Sequence, residues 1–266
     1  IVFFLKINFA LAKNHISIDP NYLNRGLIKK VHKTKLKNKE AYQIKKDPTG
    51  ISPIELVEIF SPEEEDCSTD KHWGNKGGGI TDCNSGRQRI EISQGSKEGI
   101  KKSIIKNKPI EYWYGYFLFV PENFPSDDKY VQPRINQFFS FNKNTVGGHS
   151  PFISGTIVNG KFMINGSLII DKDKLKGNWH KIEYHIKYSV KEDGFVKIYH
   201  NDVLKSETVN YVTLNKDYLF VKYGIYNNRD NFTQYPENYK FPKQTIYFSG
   251  FSASKKKEDL IINQTK

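Results

Sequence analysis

From residue 41 onward, apolar and aromatic side chains recur at every second position, in short runs cut by glycine, proline, asparagine and aspartate. A period of two places successive side chains on opposite faces of an extended strand. No comparable run has the 3.6-residue spacing of an amphipathic helix. Residues 42–46, 55–60, 87–93, 111–120, 136–141, 161–164, 167–170, 179–188, 195–200, 220–226 and 244–252 read as strands. The segment 191–194, ending on Asp193 and Gly194, joins two of them as the strongest hairpin signal. Pro121 and Pro125 end the long aromatic run that contains Tyr112, Trp113, Tyr114 and Tyr116. Many short strands with almost no helix imply an all-β chain, an antiparallel β-sandwich or jelly roll of concanavalin-like type. In that architecture one curved sheet forms a cleft, lined by residues of one parity on each strand.

Composition narrows the class. Sixteen tyrosines and 18 phenylalanines are incompatible with a disordered chain. No stretch of about 20 apolar residues exists to span a membrane. Residues 1–12 read as the rear of a secretory signal, an apolar run followed by the small-x-small pattern Ala10, Leu11, Ala12, although a first strand fits the same residues. Residues 13–40 read as a Lys/Asn-rich linker or arm, 41–254 as a single jelly-roll domain, and 255–266 as a basic tail whose Lys255–Lys257 run is solvated. A secreted or periplasmic location follows from the signal. Cys67 and Cys83 can then form a disulfide around a Gly-rich loop of about 15 residues, contributing on the order of 3 kcal/mol.

The formal net charge is +12, but only Arg25, Arg87, Arg89, Arg134 and Arg229 among the 41 cations are arginines. The lysine excess fits either a solvated surface or a field that steers an acidic partner. Scarce arginines carry more information, and two of them lie two residues apart. Phosphate-binding glycine loops, H-E-x-x-H, G-x-S-x-G and the paired-carboxylate strand of jelly-roll glycosidases are absent. Nucleic-acid binding has no motif to support it.

What remains is a set of polar residues on strands. Arg89 shares a face with Arg87 and Glu91, opposite Gln88, Ile90 and Ile92. Gln137 lies on an aromatic strand. Lys222, Gly224 and Tyr226 share a face, with Tyr223 and Ile225 opposite. Arg and Gln can bind a uronate carboxylate and stabilise the charge that grows there as the α-proton leaves. A tyrosine, alone or with histidine, can remove that proton and protonate the leaving glycosidic oxygen.

Cys67, the Asp82–Cys83 pair, the run from Arg87 to Ile92, the aromatic strand from Tyr112 to Pro121, residues 177–180, Asp193–Gly194 and the run from Lys222 to Tyr226 fall in an order that resembles heparin lyase I-like polysaccharide lyases. More distantly the set is similar to alginate and glucuronan lyases. The resemblance covers about residues 41–252. It implies a jelly-roll enzyme that cleaves an anionic, uronic-acid polysaccharide by β-elimination, leaving a 4,5-unsaturated sugar. By motif, Arg89 and Glu91 match an R-x-E strand, Gln137 the glutamine of a Q-x-H strand, and Lys222 and Tyr226 a K-x-G-x-Y strand. Phe139 stands where the histidine is expected, so the base must come from His149, His72 or a tyrosinate. The catalytic set implied is Arg89, Gln137, Tyr226 and His149. Glu91, Lys222, Arg87, Tyr223, Arg229 and His72 complete a substrate-binding set. A non-catalytic, lectin-like carbohydrate-binding protein on the same fold is the alternative. No cofactor is required, a monomer is expected, and Asp66, Asp70 and Asp82 are plausible oxygen ligands for calcium.

Overall fold

The computed structural model describes residues 30–31, 34–35, 40–64, 66–68, 82, 86–93, 100–101, 108–141, 149–214, 216–228, 236 and 239–264. The expected signal segment, His72, Asp70, Cys83 and Arg229 lie outside them. Two antiparallel sheets make an all-β sandwich of the jelly-roll type. The first has the order β1 (Lys30–Val31), β6 (Gln88–Ser93), β16 (Tyr218–Asn227), β9 (Arg134–Phe141), β10 (His149–Val158), β11 (Lys161–Ile164) and β12 (Ser167–Ile170). Beside β16 it also carries β7 (Ile100–Lys101). The second has the order β15 (Val203–Tyr211), β14 (Gly194–His200), β13 (Trp179–Tyr188), β8 (Ile110–Phe119), β17 (Ile246–Ser254), β4 (Leu56–Phe60) and β3 (Tyr42–Lys46). A small ladder pairs β2 (Thr34–Lys35) with β5 (Cys67–Ser68).

Alternation becomes packing between the sheets. Ile90 and Ile92 of β6, Leu219, Val221, Tyr223 and Ile225 of β16, and Tyr114, Tyr116 and Leu118 of β8 are buried in one core. Each fully buried large side chain of this kind contributes about 1.5–3 kcal/mol. The core is unusually rich in tyrosine, so its hydroxyls need partners. Tyr116 donates to Asn136 Oδ1 at 3.1 Å, and Tyr188 donates to the Tyr114 hydroxyl at 3.1 Å. Tyr223 donates to the Glu58 carboxylate at 2.7–2.8 Å, and Tyr42 donates to the same group at 2.8 Å. Tyr223 belongs to the first sheet and Glu58 to the second, so this buried carboxylate ties the layers together.

Several segments add to or depart from the sequence reading. The arm expected over 13–40 contributes Lys30–Val31 to the edge of β6 and Thr34–Lys35 to Cys67–Ser68. In the basic tail Lys255 and Lys256 are exposed, and beyond them the chain turns back through two short 3-10 turns, Lys257–Asp259 and Ile261–Asn263. Leu260 and Ile262 are buried against Ile54 and Phe117. Two apolar side chains among lysines suffice to pin the segment, and Lys257 pairs with the fully buried Glu183 at 3.1 Å. His149, expected in a loop, opens strand β10 opposite Phe141. Strand β15 was also absent from the sequence reading; its side chains are mostly exposed, so it lacks a buried apolar parity.

The hairpin β13–β14 carries a histidine pair, with His180 Nδ1 and His200 Nε2 3.0 Å apart. Burial lowers the pKa of His180. Burial, then the charge of His180 and of Lys205 and Lys174, brings His200 down to about 4. The unfolded chain takes up these protons near pH 6.5, whereas the folded chain resists them. Stability is therefore lost as the pH falls from about 6.5 toward 4. Melting temperatures measured across that window should decline in the wild type and decline less in His200→Gln.

Candidate active site

The outward face of the first sheet is built by the opposite parity from the core. On β6 that face presents Arg89 and Glu91, on β16 Phe220, Lys222 and Tyr226, and on β9 Gln137 and Phe139. Register brings them together: Tyr226 lies opposite Arg89 on one side, and Lys222 lies opposite Gln137 on the other. The Arg89 guanidinium sits 3.9 Å from the Tyr226 ring centroid. Its Nη1 is 3.5 Å from Glu91 Oε2, and the other Glu91 oxygen accepts a 2.7 Å hydrogen bond from Gln137 Nε2. One chain of contacts thus runs from Tyr226 through Arg89 and Glu91 to Gln137.

Arg89 is only 7 % exposed, and two carboxylates surround it. Besides Glu91 it meets Asp82, through Nε at 2.7 Å from Oδ2 and through Nη2 donating to Oδ1 at 3.2 Å. Burial opposes the guanidinium charge, but Glu91 and Asp82 outweigh it and raise the Arg89 pKa above its ordinary value. Tyr226, 6 % exposed, has its pKa raised by burial, while Arg89 and Arg87 pull it back and Asp82 and Glu91 add to the rise. Its hydroxyl therefore keeps its proton at neutral pH. Lys222, 6 % exposed, places Nζ 4.4 Å from the Phe139 ring and 5.6 Å from that of Phe220. Phe139 occupies the place expected for histidine and supplies an apolar wall beside this cation.

Several expected residues fall differently. Tyr223, anticipated as substrate-binding, is fully buried on the core face, where it stacks on Phe251 at 4.3 Å and bonds Glu58; its odd position on β16 requires this. Arg87 stands at the edge of the group, where its Nε donates to Asn228 Oδ1 at 3.0 Å. His149 is placed by its strand alone, across β9 from the β16 residues. Of the residues expected as calcium ligands, Asp70 lies outside the described residues, the Asp82 carboxylate pairs with Arg89, and Asp66 Oδ2 accepts from the Glu63 amide at 2.8 Å. Among the described residues no group of three or more His, Cys, Asp or Glu could hold a metal. Cys67 is buried on β5.

Arg134 and Asp82 are the residues that sequence reasoning did not place in the site. By strict alternation Arg134 would share the core face with Asn136 and Phe138. Register shifts between Tyr223 and Tyr226 on one side, and Gly155 and Thr156 on the other, set it opposite Tyr226 instead. Its guanidinium lies 5.8 Å from the Tyr226 ring. A bulge re-aims a side chain in this way without any sequence signature beyond a nearby glycine. Asp82 could have been suspected only from standing beside a cysteine.

Gly224 lets β6 and β16 approach at this point. Its φ is +135°, and a Cβ there would lie 2.2 Å from the Ile90 carbonyl oxygen and 2.9 Å from Glu91 Cα. Both obstacles are backbone, so Gly224→Ala should cost about 3 kcal/mol or more. A thermal melt should show that loss, together with loss of function, because the displaced strand carries Arg89 and Glu91.

A family model described as polysaccharide lyase matches residues 23–252. No curated protein sequence matches the chain significantly. Among solved structures, the endo-β-1,4-glucuronan lyase of the fungus Trichoderma reesei aligns with TM-score 0.59 at 15% identity, covering 88% of this chain and 93% of its own. The alginate lyase vAL-1 from Chlorella virus aligns with TM-score 0.50 at 13% identity, covering 91% of this chain and 100% of its own. At such identities the likeness is one of fold. These structures are glucuronan and alginate lyases, so the comparison does not carry the heparin lyase I-like part of the sequence resemblance.

Proposed function

The chain belongs to the polysaccharide lyase family, and from that premise we propose that it cleaves a uronic-acid-containing, anionic polysaccharide by β-elimination at the outward face of the first sheet. A lyase, rather than a lectin-like binding protein, is thereby the class. The observation that carries the finer reading is the convergence of Tyr226, Arg89, Glu91 and Gln137 through contacts of 3.9, 3.5 and 2.7 Å on one sheet face, with Lys222 opposite Gln137.

On this reading, Gln137 and Lys222 receive the uronate carboxylate. Glu91 holds one Gln137 N–H, which leaves the second to donate to substrate. The charge that develops on the carboxylate as C5 loses its proton is met by that donor and by the lysine. On this reading His149 accepts the C5 proton as the C5–H bond breaks, the C–H electron pair forms the C4=C5 double bond, and the C4–O bond breaks with its electron pair leaving on oxygen. Tyr226, kept protonated by burial, delivers a proton to the departing oxygen. Arg89 is already engaged by two carboxylates, so its part is to hold Tyr226 and Glu91 rather than to take the substrate's charge. Phe139 and Phe220 offer rings for sugar stacking beside Lys222. Export, as expected from the apolar N-terminal run, would bring the enzyme to extracellular polymers.

Incubation with glucuronan, alginate and heparin, followed through the ultraviolet absorbance of the unsaturated product, tests the proposal. An absorbance rise with at least one polyuronate is expected, and binding without any rise across all three overturns it. Tyr226→Phe should lower kcat by about 10²–10⁴-fold while the protein still folds. His149→Ala tests the proton acceptor: a comparable loss of kcat supports His149, and full activity rules it out as the base.

A further inference from the structure

Asp82 has no part in the elimination as derived above, yet it is fully buried and grips both β6 and the residue that leads into it. Its main-chain oxygen accepts from the Arg87 amide at 3.0 Å, and its carboxylate meets Arg89 through both Nε and Nη2. The residue before the other cysteine acts on the same strand, since the Asp66 carbonyl accepts from the Arg89 amide at 3.1 Å. Arg89 is therefore held at its backbone by the segment entering the cysteine loop and at its side chain by the segment leaving it. A long arginine side chain has many rotamers, and two carboxylates on different sides of its planar fork select one. That rotamer is the one which lays the guanidinium over the Tyr226 ring and against Glu91, the partner of Gln137.

We propose that Asp82 is a positioning residue of the lyase: by orienting Arg89 it sets the placement of the Tyr226 ring and, through Glu91, of the Gln137 amide. This rests on the roles given to Tyr226 and Gln137 under the proposed function. A misplacement of about 1 Å in a reacting group can cost about 10²-fold, so Asp82→Ala should lower kcat on that scale with little change in KM. Because Asp82 works through Arg89, its effect should vanish once Arg89 is altered: Asp82→Ala in an Arg89→Lys background should cost less than threefold beyond Arg89→Lys alone.

A second readout is independent of turnover. The charged groups facing Tyr226 are Arg89, Glu91 and Arg87 from β6 and its approach, Asp82, and Arg134 from β9. Arg89 is the strongest influence lowering its pKa, and Asp82 is a weaker one raising it. If Asp82 holds Arg89 in place, Asp82→Ala releases the guanidinium and the Tyr226 titration moves up. If Arg89 stays without Asp82, the titration moves down or not at all.

The experiment is a set of four proteins, wild type, Asp82→Ala, Arg89→Lys and the double variant, with the isosteric Asp82→Asn replacing Asp82→Ala if the latter does not fold. Kinetics are taken on the polyuronate that the wild type cleaves, and Tyr226 ionisation is read as tyrosinate absorbance minus that of the matching Tyr226→Phe protein. A large kcat loss, non-additivity with Arg89→Lys and an upward Tyr226 shift support the proposal. Unchanged kcat, additive losses, or a downward or absent shift overturn it. Failure of the proposed function itself is separate, since it shows as a wild type inactive on every polyuronate while the absorbance titration still reports on Asp82 and Arg89.

Discussion

A hydrogen bond between the sheets sets the register on which the rest depends. Tyr223 of β16 reaches across the core to Glu58 of β4 at 2.7–2.8 Å, and Tyr42 of the edge strand closes on the same carboxylate. A carboxylate at 2 % exposure is costly to bury without partners, so the arrangement admits few alternatives. With Tyr223 directed inward, the pleat directs Lys222 and Tyr226 outward. A slip of one residue would drive Lys222 into an aromatic core and turn Tyr223 out, which the packing of Phe60, Phe248 and Phe251 around its ring forbids.

The same strand therefore serves two environments, and the electrostatics of the outer one are internal. A buried guanidinium that lost one carboxylate would leave charge uncompensated in a dry setting, a situation costing about 3–5 kcal/mol. Arg89 avoids it with two partners, drawn from its own strand and from the end of the cysteine loop. Its neutralised charge is better suited to organising neighbours than to meeting a polyanion, whereas Lys222 on the adjacent strand faces Gln137 across the ladder. The formal +12 of the chain says little about this division of labour, because surface lysines supply most of it.

How far the site was legible follows from particular residues. Arg89, Glu91, Lys222 and Tyr226 were recoverable because β6 and β16 pair with each other without a shift of register, and the pairing of Tyr226 with Arg89 honours that parity. Arg134 was not, since the shifts of register around β9 move it off the face its number implies. Strand β10 was hidden by Pro151 and Gly155, which break a run that nonetheless buries Ile153 and Ile157. In the basic tail Lys255 and Lys256 stay exposed, while the packing of Leu260 and Ile262 was not legible among the surrounding polar residues.

Taken alone, the sequence determined an all-β sandwich, the parity of most strands and the residue types of a β-elimination site, because these follow from the period of the strand and the chemistry of side chains. Only the tertiary structure decided which of those residues meet. The approach of Asp82 to Arg89, the turn of Arg134 toward Tyr226 and the burial of Tyr223 on Glu58 join positions far apart in the chain or displaced by bulges. Local periodicity carries no record of such pairings, since they are set by how two sheets and their loops close around one core.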